Sequence, residues 1–201
     1  MRIKICGITQ ESELPMLEQN KVDYAGFVIF SPSKRYVSVE RAVELKKQLN
    51  PKIRTVAVTV APDRKLIDQI VEADFNIIQI HKDLDMKKIE KIPIPVWLAL
   101  QITEETLTLP ALSDNIRAIL LDAPEYGSGK TFDWEHFPLD VRRQWQDREL
   151  VLAGGLNADN VGRGMKLFHP AIVDVSSSVE GEQGKDPEKI RKFVRKVREY
   201  E

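Results

Sequence analysis

Eight short apolar runs punctuate the chain, at residues 3–6, 24–29, 53–60, 77–80, 96–100, 118–121, 150–153 and 171–175. They are rich in Val and Ile and show little polar alternation, the pattern of parallel strands covered on both faces. Between them lie segments with helical periodicity. Residues 40–49 gather Ala42, Val43, Leu45 and Leu49 on one face with charges opposite, behind Ser38 as an N-cap. Leu66, Ile67, Ile70 and Val71 repeat the pattern after Pro62-Asp63, a good helix start. Residues 104–112, 134–145, 158–168 and 187–200 are also read as helices, the third behind Asn157 and the last behind Asp186. Residues 85–92 and 11–20 carry a fainter period, and Pro15 predicts a short or distorted helix in the latter.

Strand alternates with helix eight times, without a composition break that would mark a linker. One α/β domain over residues 1–201 is therefore expected. An open doubly wound sheet gives the same local pattern, but eight units of about 25 residues favour a closed (β/α)8 TIM barrel. In such a barrel the residues just past the strands' C-terminal ends share one mouth. Here they are Cys6, Arg35, His81, Asp122, Gly154, Gly155 and the stretch from Asp174 to Ser178.

Composition narrows the function classes. Thirty basic and 31 acidic residues leave a net charge of −1, so no global field recommends nucleic acid or an anionic membrane as partner. No run of about 18 apolar residues suggests a membrane span. The N-terminal apolar stretch is too short for a signal peptide. A single cysteine excludes an internal disulfide framework and suggests a reducing, cytoplasmic setting. No second His or Cys stands at ligand spacing from His81, so no metal is expected.

The mouth residues carry the candidate chemistry. Cys6 reads equally well as a small buried hydrophobe and as a base, since nearby positive charge makes a thiolate usable near neutrality. Asp122 either caps a turn or, partly desolvated, holds a proton to donate. A thiol and an acid across one ring would suit an isomerisation that moves protons and needs no redox cofactor. Gly154-Gly155 after strand seven and Ser176–Ser178 after strand eight stand where barrels often hold a phosphate on backbone N–H groups. Arg35 is a solvated charge or a planar fork for a carboxylate. His81 is expected to orient neighbours rather than bind metal. Gly127-Ser-Gly-Lys-Thr invites a P-loop reading, but Pro124 stands where that pattern needs Gly.

Several stretches together resemble the phosphoribosylanthranilate isomerase family. They are Lys4-Ile-Cys-Gly-Ile-Thr9, Gly26-Phe-Val, Ser33-Lys-Arg-Tyr36, Gln79-Ile-His81, Leu120-Leu-Asp122, Gly127-Ser-Gly-Lys-Thr-Phe-Asp-Trp134, Gly154-Gly-Leu-Asn157, Val173-Asp-Val-Ser-Ser177 and Val179-Glu180. The resemblance implies a TIM barrel acting on a small phosphorylated substrate by an Amadori rearrangement, without cofactor or metal, as a monomer or homodimer. It implies Asp122 as the acid and Cys6 as the base. It further implies Arg35 on the anthranilate carboxylate, Asp174 near the anthranilate nitrogen, and Gly155 with Ser177 and Ser178 around the phosphate. Three residues depart from the family's pattern: Ser178 and Lys82 replace usual glycines and Thr59 a usual Phe. They motivate a competing expectation, a non-catalytic or altered-specificity sugar-phosphate-binding barrel. The histidine-pathway isomerase, of the same reaction type, resembles a two-aspartate design, and Cys6 stands where its first aspartate would be.

Overall fold

The computed structural model describes residues 1–82, 85–102, 111–123, 131–135, 137–138 and 145–201. Eight parallel strands close into a barrel in sequence order: β1 (Arg2–Cys6), β2 (Tyr24–Val28), β3 (Arg54–Val60), β4 (Ile77–His81), β5 (Val96–Gln101), β6 (Ile116–Asp122), β7 (Glu149–Leu152) and β8 (Ile172–Val175). The seam is sealed by β8 on β1, with Lys4 in register with Asp174. Each strand lies within about two residues of the run that announced it.

Alternation along the strands sorts side chains into two cores. Cys6, Val58, Trp97, Leu120 and Val151 face the barrel's axis. Ile3, Ile5, Phe27 and Ile119 face outward and pack beneath the helices. Polar residues are few on the inside, so those present are conspicuous: Lys4, Gln79, His81 and Asp174 are all buried.

The described helices are α1 (Leu14–Gln19), α2 (Val39–Gln48), α3 (Arg64–Glu72), α4 (Met86–Ile89), α5 (Val161–Phe168) and α6 (Pro187–Glu199). Side chains cap three of them as the sequence suggests. Ser38 accepts from the Arg41 N–H, Asp63 from that of Leu66, and Asp186 from those of Glu188 and Lys189. Residues 11–20 split into a 3-10 turn at Glu11–Glu13 followed by α1, because Pro15 fits only in a helix's first turn. The helix expected over 158–168 begins later, at Val161. Asn157 instead accepts the N–H groups of Asp159 and Asn160, tightening a turn ahead of it.

The expected helix at 104–112 lies mostly outside the described residues, as does that at 134–145. Trp134 and Glu135 themselves form a bend. There Phe132, Trp134 and Phe137 pack edge-on against Phe168 of α5. Between β8 and α6 a two-stranded hairpin, β9 (Glu180–Gly181) with β10 (Gly184–Lys185), rises beside the barrel's mouth.

Two of the departures noted above lie away from the mouth cavity. Thr59 turns from the barrel interior and donates its hydroxyl to the Gln79 carbonyl at 3.0 Å. Lys82 is exposed at φ 57°, a left-handed conformation that glycine adopts freely and other L-residues only at a cost. Lys82→Gly is therefore expected to raise the unfolding free energy by about 0.5–1 kcal/mol, after the extra chain entropy of glycine is subtracted. Urea denaturation of the two proteins checks this.

Candidate active site

A cavity of about 500 Å³ opens at the C-terminal ends of the strands. Cys6 from β1, His81 from β4, Asp122 from β6 and Asp174 from β8 all line it, with Arg35 from the loop after β2. Gly154, Gly155 and Ser177 line the same cavity, although more than 170 positions separate the first of these residues from the last. Ser178 does not line it. Its hydroxyl is donated to the Leu156 carbonyl at 2.6 Å, which fixes one mouth loop to another.

The thiol sits in a charged corner. Lys4, two residues before Cys6 on the same face of β1, places its Nζ 2.6 Å from Asp174 Oδ2. Burial pushes the Cys6 thiol above its usual range, while the Lys4 ammonium, and more weakly that of Lys185, pulls it down. Burial wins, so Cys6 rests as a thiol rather than as the thiolate that neighbouring cations alone would produce. Gly26, paired with Cys6 across β1 and β2, makes the corner roomy: a Cβ there would lie 2.9 Å from Cys6 Sγ. Burial also raises Asp174, against the pull of Lys4. Asp174 Oδ1 is buried and has no hydrogen-bond partner among the described residues.

Asp122 is the complementary group. Burial, aided by the negative charge of Asp174, lifts its carboxyl to about 6, even though it accepts the Ala123 N–H at 2.9 Å. A substantial protonated fraction is therefore present close to neutrality. His81 is the opposite case. Burial first, then the charges of Lys4 and Lys82, depress it to about 3, so the ring is neutral at physiological pH. Gln79 donates its side-chain amide to His81 Nε2 at 2.8 Å, an orienting contact. Among the described residues no group of three or more His, Cys, Asp or Glu could hold a metal ion.

Cations dominate the rim. Glu180 on β9 is held by both Nε and Nη2 of Arg35, the latter at 3.0 Å, and by Lys185 and Lys34, each at 3.1 Å. Burial opposes ionisation of this carboxyl, but Arg35 and Lys185 outweigh it and bring it down to about 2. Three cations share one carboxylate, leaving positive charge for an anionic ligand. Arg35 keeps its Nη1 donors without a protein acceptor among the described residues. Opposite the rim, Gly154 and Gly155 turn at φ 72° and 69°, and a Cβ on Gly154 would lie 2.4 Å from the Ala123 nitrogen. Only glycine lets β7's end pass so close to β6's.

Lys4 and Lys185 are among the contributors that the sequence does not single out. Lys4 carried a legible signal: a lone cation at the interior-facing position of Ile3-Lys-Ile-Cys6, in phase with the thiol. Lys185 carried none, since only the hairpin folds it back onto Ser176 and Glu180.

The family model for N-(5'phosphoribosyl)anthranilate (PRA) isomerase matches residues 3–196. The N-(5'-phosphoribosyl)anthranilate isomerase of Streptococcus gordonii is 38% identical over 199 residues, covering 98% of each chain. The crystal structure of phosphoribosyl anthranilate isomerase from Thermotoga maritima superposes with a TM-score of 0.84 at 35% identity, covering 99% of both chains. A structure of such an isomerase in complex with reduced 1-(o-carboxyphenylamino)-1-deoxyribulose 5-phosphate gives a TM-score of 0.83 at 32% identity, again over 99% of both.

Proposed function

Because the chain belongs to the N-(5'-phosphoribosyl)anthranilate isomerase family, we propose that Asp122 and Cys6 are the acid and base of its reaction. The reaction is the Amadori rearrangement of N-(5-phospho-β-D-ribosyl)anthranilate to 1-(2-carboxyphenylamino)-1-deoxy-D-ribulose 5-phosphate, a step of tryptophan biosynthesis. It is an intramolecular aldose–ketose oxidoreduction. In our reading no cofactor is needed, and the protein works in the cytoplasm.

Asp122 donates its proton to the ribose ring oxygen as the C1–O bond breaks, and the nitrogen lone pair forms the C1=N iminium. The positive nitrogen acidifies the C2–H bond. Cys6, as thiolate, takes that proton; the bond pair becomes C1=C2 and the C=N pair returns to nitrogen, giving an enolamine. Its tautomerisation to the ketone, with proton exchange through solvent, restores both groups. Asp174 faces the anthranilate nitrogen through Oδ1 in this reading. Arg35 takes the anthranilate carboxylate, and Gly155 and Ser177 take the phosphate. Ser178 supports that loop through its bond to Leu156 rather than through its hydroxyl on the ligand.

One observation carries the assignment: a carboxyl raised to about 6 and a buried thiol line the same cavity beneath a cationic rim. Rescue of a tryptophan auxotroph lacking the isomerase tests the function. Folded, expressed protein that fails to rescue would favour the non-catalytic or altered-specificity barrel. Arg35→Ala is expected to raise KM roughly 10- to 100-fold with a smaller change in kcat, since a charge-assisted hydrogen bond of about 1.5–3 kcal/mol is lost. Steady-state kinetics over substrate concentration separate the two constants.

A further inference from the structure

Lys4 does not line the cavity and is fully buried, so it cannot touch a substrate held there. A buried ammonium is costly, and an apolar side chain of similar length would fill the same space without that cost. Its position is nevertheless well defined. Lys4 and Cys6 share the interior face of β1, and Lys4 is in register with Asp174 across the seam. Both side chains converge above Gly26, where an added Cβ would lie 3.1 Å from Lys4 Cε and 2.9 Å from Cys6 Sγ. Two acidic groups, the Asp174 carboxylate and the Cys6 thiol, thus compete for one cation.

We propose that Lys4 is the positioning residue that stabilises the Cys6 thiolate as it forms, its ammonium being shared between Asp174 and the sulfur. The other titratable or charged groups facing the thiol are Lys185 on β10, Asp122 on β6 and His81 on β4, with Arg35 and Glu180 at the rim. None of these shares both its strand and its face. Burial, Lys4 and Asp174 are the three largest influences on the thiol's proton affinity, Lys4 lowering it and Asp174 raising it.

The consequence for the reaction rests on Cys6 being the base. With Lys4 engaged by Asp174, the thiol keeps its proton. Once the iminium forms beside Asp174 Oδ1, its positive charge neutralises that carboxylate. The field of Lys4 then falls on the sulfur alone, and the thiol proton leaves to water at the mouth. Iminium formation thus raises the thiolate fraction as the C2–H bond becomes acidic.

The test is the pH dependence of iodoacetamide alkylation of the full chain. Cys6 is the only cysteine, so a single thiol is read. The midpoint reports the thiolate, and the high-pH plateau reports access to it. Asp174→Asn frees the ammonium at nearly constant volume, and is expected to lower the midpoint and speed alkylation at neutral pH roughly tenfold, the effect of about one pKa unit. Lys4→Met is expected to move the midpoint the other way, with alkylation at least about tenfold slower. Should Lys4→Met fail to fold because Asp174 is left buried and unpaired, the double variant Lys4→Met/Asp174→Asn, which leaves no unpaired charge, is compared with Asp174→Asn, and its midpoint is expected to lie higher; an equal midpoint overturns the proposal. A midpoint that stays put or rises in Asp174→Asn overturns the proposal. Opposite shifts together with full turnover by Cys6→Ala would uphold Lys4's hold on the thiol while removing the base assignment. Unmoved midpoints with a dead Cys6→Ala would do the reverse.

Discussion

Replacing Cys6 with alanine is expected to lower kcat by roughly 10²–10⁴-fold while KM changes little, the signature of losing a general base that acts only in the transition state. The alanine fits: the pocket gains the volume of a sulfur atom, and no buried charge is created because the resting group is a thiol. Asp122, Arg35 and the glycine turns keep their places, so binding survives while proton abstraction does not. Cys6→Ser sharpens the test. An alcohol in this corner is far weaker as an acid than a thiol, and Lys4 cannot bring it to alkoxide near neutrality, so serine is expected to be nearly as inactive as alanine. Steady-state assays of both proteins on N-(5-phosphoribosyl)anthranilate check this. Either variant turning over at the parental rate would place the base elsewhere.

The strands and the mouth were legible in the sequence because both obey short-range rules. Val- and Ile-rich runs interrupted by periodic helices define a barrel, and a barrel then assigns strand ends to one face. Cys6, Asp122, Asp174 and His81 could be gathered on that basis without a single tertiary contact. What escaped depends on pairings that no local pattern encodes. Glu180 joins Lys34 and Arg35, about 145 positions earlier, only because the β9–β10 hairpin folds over the loop after β2. The resting thiol escaped too. Counting neighbouring cations suggests a thiolate, but the balance turns on desolvation, which sequence does not report.

The three departures have different physical outcomes. Thr59 is sealed against a backbone carbonyl outside the barrel's interior, and Lys82 sits in an exposed left-handed turn. Neither lines the cavity, so both bear on stability more than on substrate affinity. Ser178 is closer to function. Its hydroxyl bond to Leu156 O ties the loop after β8 to the one after β7, the two loops that would hold the phosphate. A glycine there would lack that tie.

Asp122→Asn is expected to lower kcat by roughly 10²–10⁴-fold and to change the shape of the pH profile. In the proposed mechanism the acid must be protonated and the base ionised, yet burial lifts Asp122 to about 6 and Cys6 above the usual thiol range. The active pair is therefore the minor protonation state. Below pH 6 the acid is fully protonated, and activity climbs with pH as thiolate accumulates. Above 6 each gain in thiolate is cancelled by an equal loss of protonated acid, so kcat/KM is level until the thiol titrates, and then falls. The break near 6 belongs to Asp122. In Asp122→Asn it is expected to vanish, the residual rate rising with pH through neutrality until the thiol is ionised.

Stability moves the other way. The folded-state value lies above the ordinary 3.8, so the folded protein binds this proton more tightly than the unfolded chain. The native state is therefore penalised as pH rises from about 4 to about 6, and fully above that. Asparagine keeps the Oδ1 acceptor for the Ala123 N–H and removes the charge. It is expected to stabilise the fold by roughly 3 kcal/mol at pH 7, with the gain gone below about pH 4. Denaturation at pH 7 and pH 4, set beside the kinetic profile, measures both effects on one protein. A variant that loses the break near pH 6 and is more stable at neutral pH identifies Asp122 as a carboxyl kept buried for its proton. A break that persists would assign that titration to another group.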